Sequence, residues 1–355
     1  MANSGSSPAE NRLYLDHAAT TPVCAAARAA VLEGLERWAN PSSPHAEGRA
    51  ARAALEAARA RIRAALGWDG PIILTSGASE SIALALGRAA LQRVVTSPVE
   101  HDAVLRVTGG AQRLAVDAAG RVTETVPGAL HAIQMANNET GVIQPIAALA
   151  ERIHAEGGQL FCDCAQSAGK LDLPQEADMV GVSAHKFGGP PGVGALLLRR
   201  WDLLRPGGGQ EQGYRGGTEN LPGVLGMAAA LDEGRAWFAE AGALRAALDA
   251  AVRAGGGEVV ADAAARIPTI ASYRMPGVPA RAQLIRFDMM GIAVSAGSAC
   301  SSGTLKTSPV LKAMGWEDGP ADEVIRVSFG RATGRADVER FAAAWGLLAA
   351  GRRAA

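Results

Sequence analysis

Met179-Val180-Gly181-Val182-Ser183-Ala184-His185-Lys186-Phe187-Gly188-Gly189-Pro190 is the stretch on which the reading of this chain turns. A short apolar run bounded by turn residues reads as a buried strand. It hands a lysine to a loop rich in glycine and proline. A lysine placed there is partly desolvated, its ammonium form is disfavoured, and it becomes an amine able to form a Schiff base. In isolation a lysine buried for structural reasons reads the same way. The balance shifts with Cys162-Asp163-Cys164-Ala165-Gln166, which closes another apolar strand earlier in the chain. A pyridoxal phosphate (PLP) site needs a carboxylate on the pyridinium nitrogen and a lysine on the aldehyde. Here both arrive from strand ends.

Working outward, the pattern predicts strands over 72–75, 93–97, 132–136, 159–163, 179–183 and 194–199. Helices are predicted over 46–66, ended by Gly67, and over 145–156, with Pro145 at the start and Gly157 just past the end. Such alternation implies an α/β fold, a mostly parallel sheet sandwiched by helices. Ligands bind such sheets beyond the carboxyl ends of the strands, where Thr75, Asp163 and Ser183 fall. The stretch 221–253 reads as helical with Gly234 and Gly242 interrupting it, and Gly255-Gly256-Gly257 then breaks the chain. This predicts a large unit over 13–248 and a smaller α+β unit over 249–355, which residues 1–12 could join.

The 355 residues, 48% hydrophobic and 20% charged, are enough for a large core. Thirty-five basic residues balance thirty-five acidic ones, so bulk charge gives no argument for nucleic acid or an anionic membrane. Residues 1–11 are polar, which argues against a signal peptide, and no apolar run reaches the ~18 residues of a membrane span. The four cysteines (24, 162, 164 and 300) do not fall into zinc-ligand spacings. Strand periodicity puts Cys162 and Cys164 on one face, opposite Asp163. Packing against a helix is the plainer reading of that pair, a metal or redox role the other. A reducing, cytoplasmic setting fits these features.

Further segments carry polar groups to the same edge, each with a plain alternative. Thr75-Ser76-Gly77-Ala78-Ser79-Glu80 reads as strand, turn and helix start; its free N–H groups and the Ser79 hydroxyl suit a phosphate, or Ser79 simply caps the helix. His101 follows a strand and is either structural or stacked on a pyridine ring. Asn137-Asn138-Glu139-Thr140-Gly141 offers amide donors or is only a turn. Arg215-Gly216-Gly217-Thr218-Glu219-Asn220 is a solvated loop or a second phosphate contact. In the run from Val294 to Thr304, nine of eleven residues are Gly, Ala, Ser or Thr, and they surround Cys300. Such a run has little to pack, and a cysteine within it suggests a reactive thiol. Arg326 interrupts the apolar run 324–330 and needs a partner, either a protein carboxylate or that of a substrate.

Taken together, these motifs resemble a known family. Tyr14-Leu15-Asp16-His17-Ala18-Ala19-Thr20-Thr21-Pro22, Asn40-Pro41-Ser42-Ser43, the Thr75 turn, Glu100-His101, the Asn137 turn, Asp163-x-x-Gln166, Ser183-Ala184-His185-Lys186, the Arg215 loop and Ser298-Ala299-Cys300 stand in the order seen in cysteine desulfurases. These are class V aminotransferase-like PLP enzymes of fold type I. The segment around Cys300 is similar to the group with the longer cysteine loop, which supplies sulfur for iron–sulfur cluster assembly and other thiolation. The resemblance implies that Lys186 holds PLP as a Schiff base, Asp163 keeps the ring nitrogen protonated, and His101 stacks on the ring. It implies that Gln166 and Asn138 reach the phenolic oxygen. Ala78, Ser79, Ser183 and His185 would hold the phosphate, with Thr218 supplied by the second subunit of a homodimer. Arg326, helped by Asn138, would bind the carboxylate of L-cysteine, and Cys300 would take its sulfur as a persulfide.

Departures from the family pattern also stand out. Gly189-Pro190-Pro191-Gly192 replaces a common Gly-Pro-Lys-Gly, Thr269 stands where Asn is usual, and the segments 87–98 and 120–132 are short. These bear on partner docking more than on chemistry. The expected partner is a sulfur acceptor such as an iron–sulfur scaffold, with Cys300 as a transient cluster ligand shared with it. A selenocysteine lyase or another class V lyase is the nearest alternative. A non-catalytic regulator of this fold is the other.

Overall fold

The computed structural model describes residues 12–297 and 307–353, so Cys300 lies outside the described residues. The described chain opens with β1 (Leu13–Tyr14), α1 (Ala25–Glu36) and α2 (Ala46–Ala65). In α2, Ala51, Leu55, Ala58 and Ile62 recur at helical spacing and are buried. The His45 Nδ1 caps its start by accepting the Gly48 N–H at 3.2 Å. Gly67, at φ +61°, takes the left-handed conformation that ends it.

The large sheet comprises β2 (Ile72–Thr75), β3 (Val94–Thr96), β4 (Gln112–Arg113), β5 (Leu130–Gln134), β6 (Gln159–Asp163), β7 (Met179–Ser183) and β8 (Gly194–Leu198), in the order β2-β8-β7-β6-β5-β3-β4. β8 is antiparallel to both neighbours; the remaining pairs are parallel. Strands β2, β3, β5, β6 and β7 therefore share one direction. Between them run α3 (Ala78–Arg88), α4 (Asp102–Val107) and α5 (Ile146–Ala155), and beyond β8 lies α6 (Leu221–Asp232).

Alternation along the strands makes two apolar faces. Phe161 of β6 and Leu196 and Leu198 of β8 pack with Ile82, Ala85 and Leu86 of α3. Cys162, Val180, Ala195 and Leu197 pack with residues of α2, α5 and α6 on the other side. The two thiols of Cys162 and Cys164 meet at 3.7 Å, fully buried in that second face, as period-2 geometry predicts. They are core packing. Burial pushes the Cys162 thiol well up, and among the described residues no cluster of His, Cys, Asp and Glu is arranged to hold a metal.

Past Gly234, at φ +68°, α7 (Phe238–Ala254) begins. Gly242 sits inside this helix without breaking it, so only one of the two expected interruptions occurs. The remaining elements are β9 (Glu258–Val259), β10 (Ile270–Arg274), α8 (Ala280–Met289), β11 (Ile292–Ala293), β12 (Ser295–Ala296), α9 (Pro309–Ala313), α10 (Asp318–Ala321), β13 (Val324–Ser328) and α11 (Arg335–Arg353). The antiparallel sheet β12-β13-β10-β9 packs with Leu248 and Val252 of α7 and with Phe341 and Trp345 of α11. β1 pairs in parallel with β11, tying the start of the described chain to the C-terminal elements. No described helix is long and apolar enough to cross a membrane.

Phe161 links sheet and α3: it is fully buried, and a Cβ at Gly181 would lie 3.0 Å from its ring. Phe161→Ala is expected to destabilise the fold by about 3–5 kcal/mol in urea unfolding. A change below about 1 kcal/mol would show that the site's sheet does not rest on this contact.

Candidate active site

Because β2, β3, β5, β6 and β7 share a direction, the residues after their carboxyl ends converge. They line a cavity of about 330 Å³ that includes Ala78, Ser79, His101, Asn138, Asp163, Gln166, Ser183, His185 and Lys186. These are the described residues expected at one site, with Thr218 and Arg326 the exceptions. Thr218 is exposed and outside this lining. Arg326 lines an adjoining cavity of about 540 Å³ that shares His101, Asn138 and Lys186 with the first and reaches Gly297 and Thr307.

Lys186 closes a single 3₁₀ turn after β7, and its Nζ donates to the carbonyls of Ala18 and Ala19 at 2.7 and 2.9 Å. Burial, and then the charge of Arg326, lower its pKa to about 8 against the pull of Asp163 and Asp16. A lysine so shifted has far more free amine at neutral pH than an exposed one. Asp163 ends β6, nearly buried, with Oδ1 accepting the Ala165 N–H at 2.9 Å. Burial raises its carboxyl, while that bond and the charges of His101 and Lys186 oppose the rise.

His101 is the N-cap of α4: Nδ1 accepts the Ala103 N–H at 3.1 Å, which leaves the proton of the neutral ring on Nε2. Burial lowers its pKa. His185 is lowered to about 4 by burial and the neighbouring Lys186, so it is neutral at physiological pH; its Nδ1 lies 3.2 Å from the Thr20 hydroxyl. The Gln166 Nε2 donates to Ala18 O at 2.9 Å, and its buried Oε1 has no partner.

The first turn of α3 faces the same cavity. Its N-cap is Gly77, at φ +146° and without a side-chain cap, so Ser79 is a first-turn residue and not the cap. A Cβ on Gly194 would lie 2.7 Å from the Gly77 Cα, so a glycine there allows the turn its close seat on β8. Glu80 fastens the turn to the Arg215 loop, accepting from Ser76 N–H at 2.5 Å and Arg215 Nε at 3.0 Å.

Arg326, on β13, is 5% exposed. Nη2 donates to Asp16 Oδ1 at 2.7 Å, Nη1 donates to Asn138 O at 3.0 Å, and the buried Nε has no partner. This arginine therefore has a protein carboxylate as partner and still keeps a free donor. The segment from Asp16 to Thr21 stands out in the sequence only through the family resemblance. It supplies the acceptors for Lys186 and Gln166 and the carboxylate for Arg326. Lys170 belongs to none of the motifs above and is a further titratable group here. It is buried, donates to Gln166 O at 3.0 Å, and is lowered to about 7 by burial and by Lys186.

A site with an uncapped helix start beside a neutral histidine, a buried carboxylate and a deprotonatable lysine suits an aromatic cofactor bearing a phosphate. Comparison with known proteins agrees. The family model Aminotransferase class-V matches residues 13–341, and the chain belongs to that family. A cysteine desulfurase of Gluconacetobacter diazotrophicus is 38% identical over 365 residues, covering 93% of this chain and 91% of the relative. The X-ray structure of a NifS-like protein from Rickettsia africae superposes with a TM-score of 0.86 at 28% identity, over 95% of this chain and 99% of that one. A structure described as SspA in complex with cysteine gives a TM-score of 0.76 at 30% identity, over 91% of this chain and all of that one. Enzymes of this family and fold are PLP-dependent.

The lowered Lys186 has a thermodynamic consequence. The folded, cofactor-free chain releases this proton near pH 8, whereas the unfolded lysine keeps it to 10.5. Between those values the unfolded state binds more protons, so raising the pH favours the fold. The urea midpoint of the cofactor-free wild type is expected to rise across this window relative to Lys186→Met. A pH-independent difference would mean that Lys186 is ordinary in its titration.

Proposed function

We propose that this chain is a PLP-dependent cysteine desulfurase, converting L-cysteine to L-alanine and receiving the sulfur as a persulfide on Cys300. The observation that carries the proposal is the delivery of Lys186 and Asp163 by neighbouring strands to one cavity, with Arg326 lining the adjoining one. When bound, PLP supplies an aldehyde that condenses with amines and a protonated ring that withdraws electrons from the attached carbon.

The chain's own groups divide the remaining work. Lys186 provides the amine that holds the cofactor and afterwards moves the proton of the substrate α-carbon; a pKa near neutrality suits both tasks. Asp163 would keep a proton on the ring nitrogen, and His101 would stack against the ring. Gln166 and Asn138 would hold the phenolic oxygen. The first turn of α3, through Ala78 and Ser79, binds the phosphate together with Ser183 and His185, where neutral His185 can hydrogen-bond without adding charge. Arg326 orients the cysteine carboxylate, its free Nε and its Nη2 offering a fork if Asp16 yields. Thr218, exposed in a single copy, reaches the phosphate of a second copy in a homodimer. The acceptor downstream is a protein, such as an iron–sulfur scaffold, that takes the sulfur from Cys300 in the cytoplasm.

Cys300→Ser separates this reading from a lyase that has no need of the thiol. The variant is expected to retain the visible absorbance of the cofactor and its response to cysteine. Sulfide release should fall to the background of free PLP, because a hydroxyl is a far poorer sulfur acceptor than a thiolate. Near-wild-type release by Cys300→Ser would sink the proposal.

A further inference from the structure

Glu139 stands next to Asn138 in the turn after β5, and none of the roles above uses it. It is 5% exposed, and burial holds its carboxyl above the usual range against the pull of Ser308 and Arg326. A buried carboxyl is costly unless it is engaged. Its Oε2 accepts from the Ser308 hydroxyl at 2.5 Å, and that hydroxyl caps α9 by accepting the Leu311 N–H at 3.1 Å. On the other side, a Cβ at Gly297 would fall 2.0 Å from the same Oε2 and 3.2 Å from the Ser308 Cβ. Gly297 and Ser308 flank the segment that carries Cys300. Both abut one carboxylate oxygen, and they lie close to each other.

The backbone that carries this carboxyl is itself held from both sides. The Glu139 N–H donates to Asn137 Oδ1 at 2.9 Å, and Glu139 O accepts from the Ser272 hydroxyl of β10 at 2.9 Å. Its neighbour Asn138 gives its carbonyl to Arg326. One turn thus contacts the proposed carboxylate-binding arginine and, through Glu139, both flanks of the cysteine segment.

We propose that Glu139 is a positioning residue that clamps the two flanks of the Cys300 segment to the Asn138 turn, so that sulfur transfer depends on it while cofactor and substrate binding do not. This rests on the desulfurase reading. The clamp needs an acceptor oxygen for Ser308 and no titration, so Glu139→Gln can preserve it and Glu139→Ala cannot. Gly297→Ala attacks it from the other side with Glu139 in place.

The test uses PLP-loaded wild type, Glu139→Ala, Glu139→Gln and Gly297→Ala. Cofactor absorbance and its response to cysteine should persist in all four. In Glu139→Ala and Gly297→Ala, kcat for sulfide release should fall by about 10²-fold, the scale of an ångström-level misplacement. Glu139→Gln should restore most of it. Wild-type kcat in either disruptive variant overturns the clamp. So does equal loss in Glu139→Gln and Glu139→Ala, which would assign Glu139 a proton-transfer role. Loss of cofactor absorbance in both disruptive variants would reduce it to general support of the fold. Peptide-resolved alkylation of Cys300 by iodoacetamide needs no turnover. It should be several-fold faster in Glu139→Ala than in wild type, and an unchanged rate contradicts the clamp. A wild type that releases no sulfide from cysteine would sink the desulfurase reading, and the alkylation rates would still decide on Glu139.

Discussion

The site depends on charges of opposite sign held apart from water at the shared edge of parallel strands. Burial works against both Lys186 and Asp163, lowering the first and raising the second, while each charge eases the other's burial. Such an arrangement survives only if the scaffold fixes both groups. The β6–β7 ladder does so, pairing Asp163 with Gly181 and carrying β7 on to Ser183, three residues before the lysine. Because β8 alone runs the other way, it can return beneath the first turn of α3, and glycines at 77 and 194 let the two backbones meet.

The second structural element of the site is the stretch just after β1. Ser328 of β13 accepts the Ala18 N–H at 2.8 Å, and Ser328 N–H donates to Leu15 O at 2.8 Å, so this stretch is stitched to the C-terminal sheet. From there its carbonyls satisfy Lys186 and Gln166, and Asp16 neutralises Arg326. One segment thus satisfies the Lys186 amine, the Gln166 amide and part of the Arg326 guanidinium, while Gln166 Oε1 and Arg326 Nε keep no partner. Bonds of this kind lower the cost of holding such groups away from water.

Much of this was legible in the sequence because strands, turns and helix caps are local. Apolar runs ending in polar residues gave β2, β6 and β7 with their bounds, and with them the positions of Thr75, Asp163 and Ser183. The predicted strand 132–136 lies two residues early in the structure, at 130–134. The structure extends the strand back through the polar His131. It is fully buried, with Nε2 accepting the Val126 N–H at 3.0 Å and Nδ1 3.1 Å from Ala129 O, so the backbone satisfies both nitrogens. Gly242 read as a break because glycine weakens an isolated helix, but the tertiary packing of α7 outweighs about 1 kcal/mol of propensity. The roles of Asp16, Glu139 and Lys170 were not legible. Each depends on a partner distant in the chain or on enclosure by several elements, and neither leaves a periodic mark.

The most direct test of the account is the identity of the lysine that holds the cofactor, since buried Lys170 and half-buried Lys186, both with lowered pKa, lie close together. Reduction of the PLP-loaded chain with borohydride, followed by peptide mapping, should fix the pyridoxyl group on the peptide containing Lys186. Recovery of the label on Lys170 would contradict the placement of the chemistry at the end of β7 and the mechanism built on it.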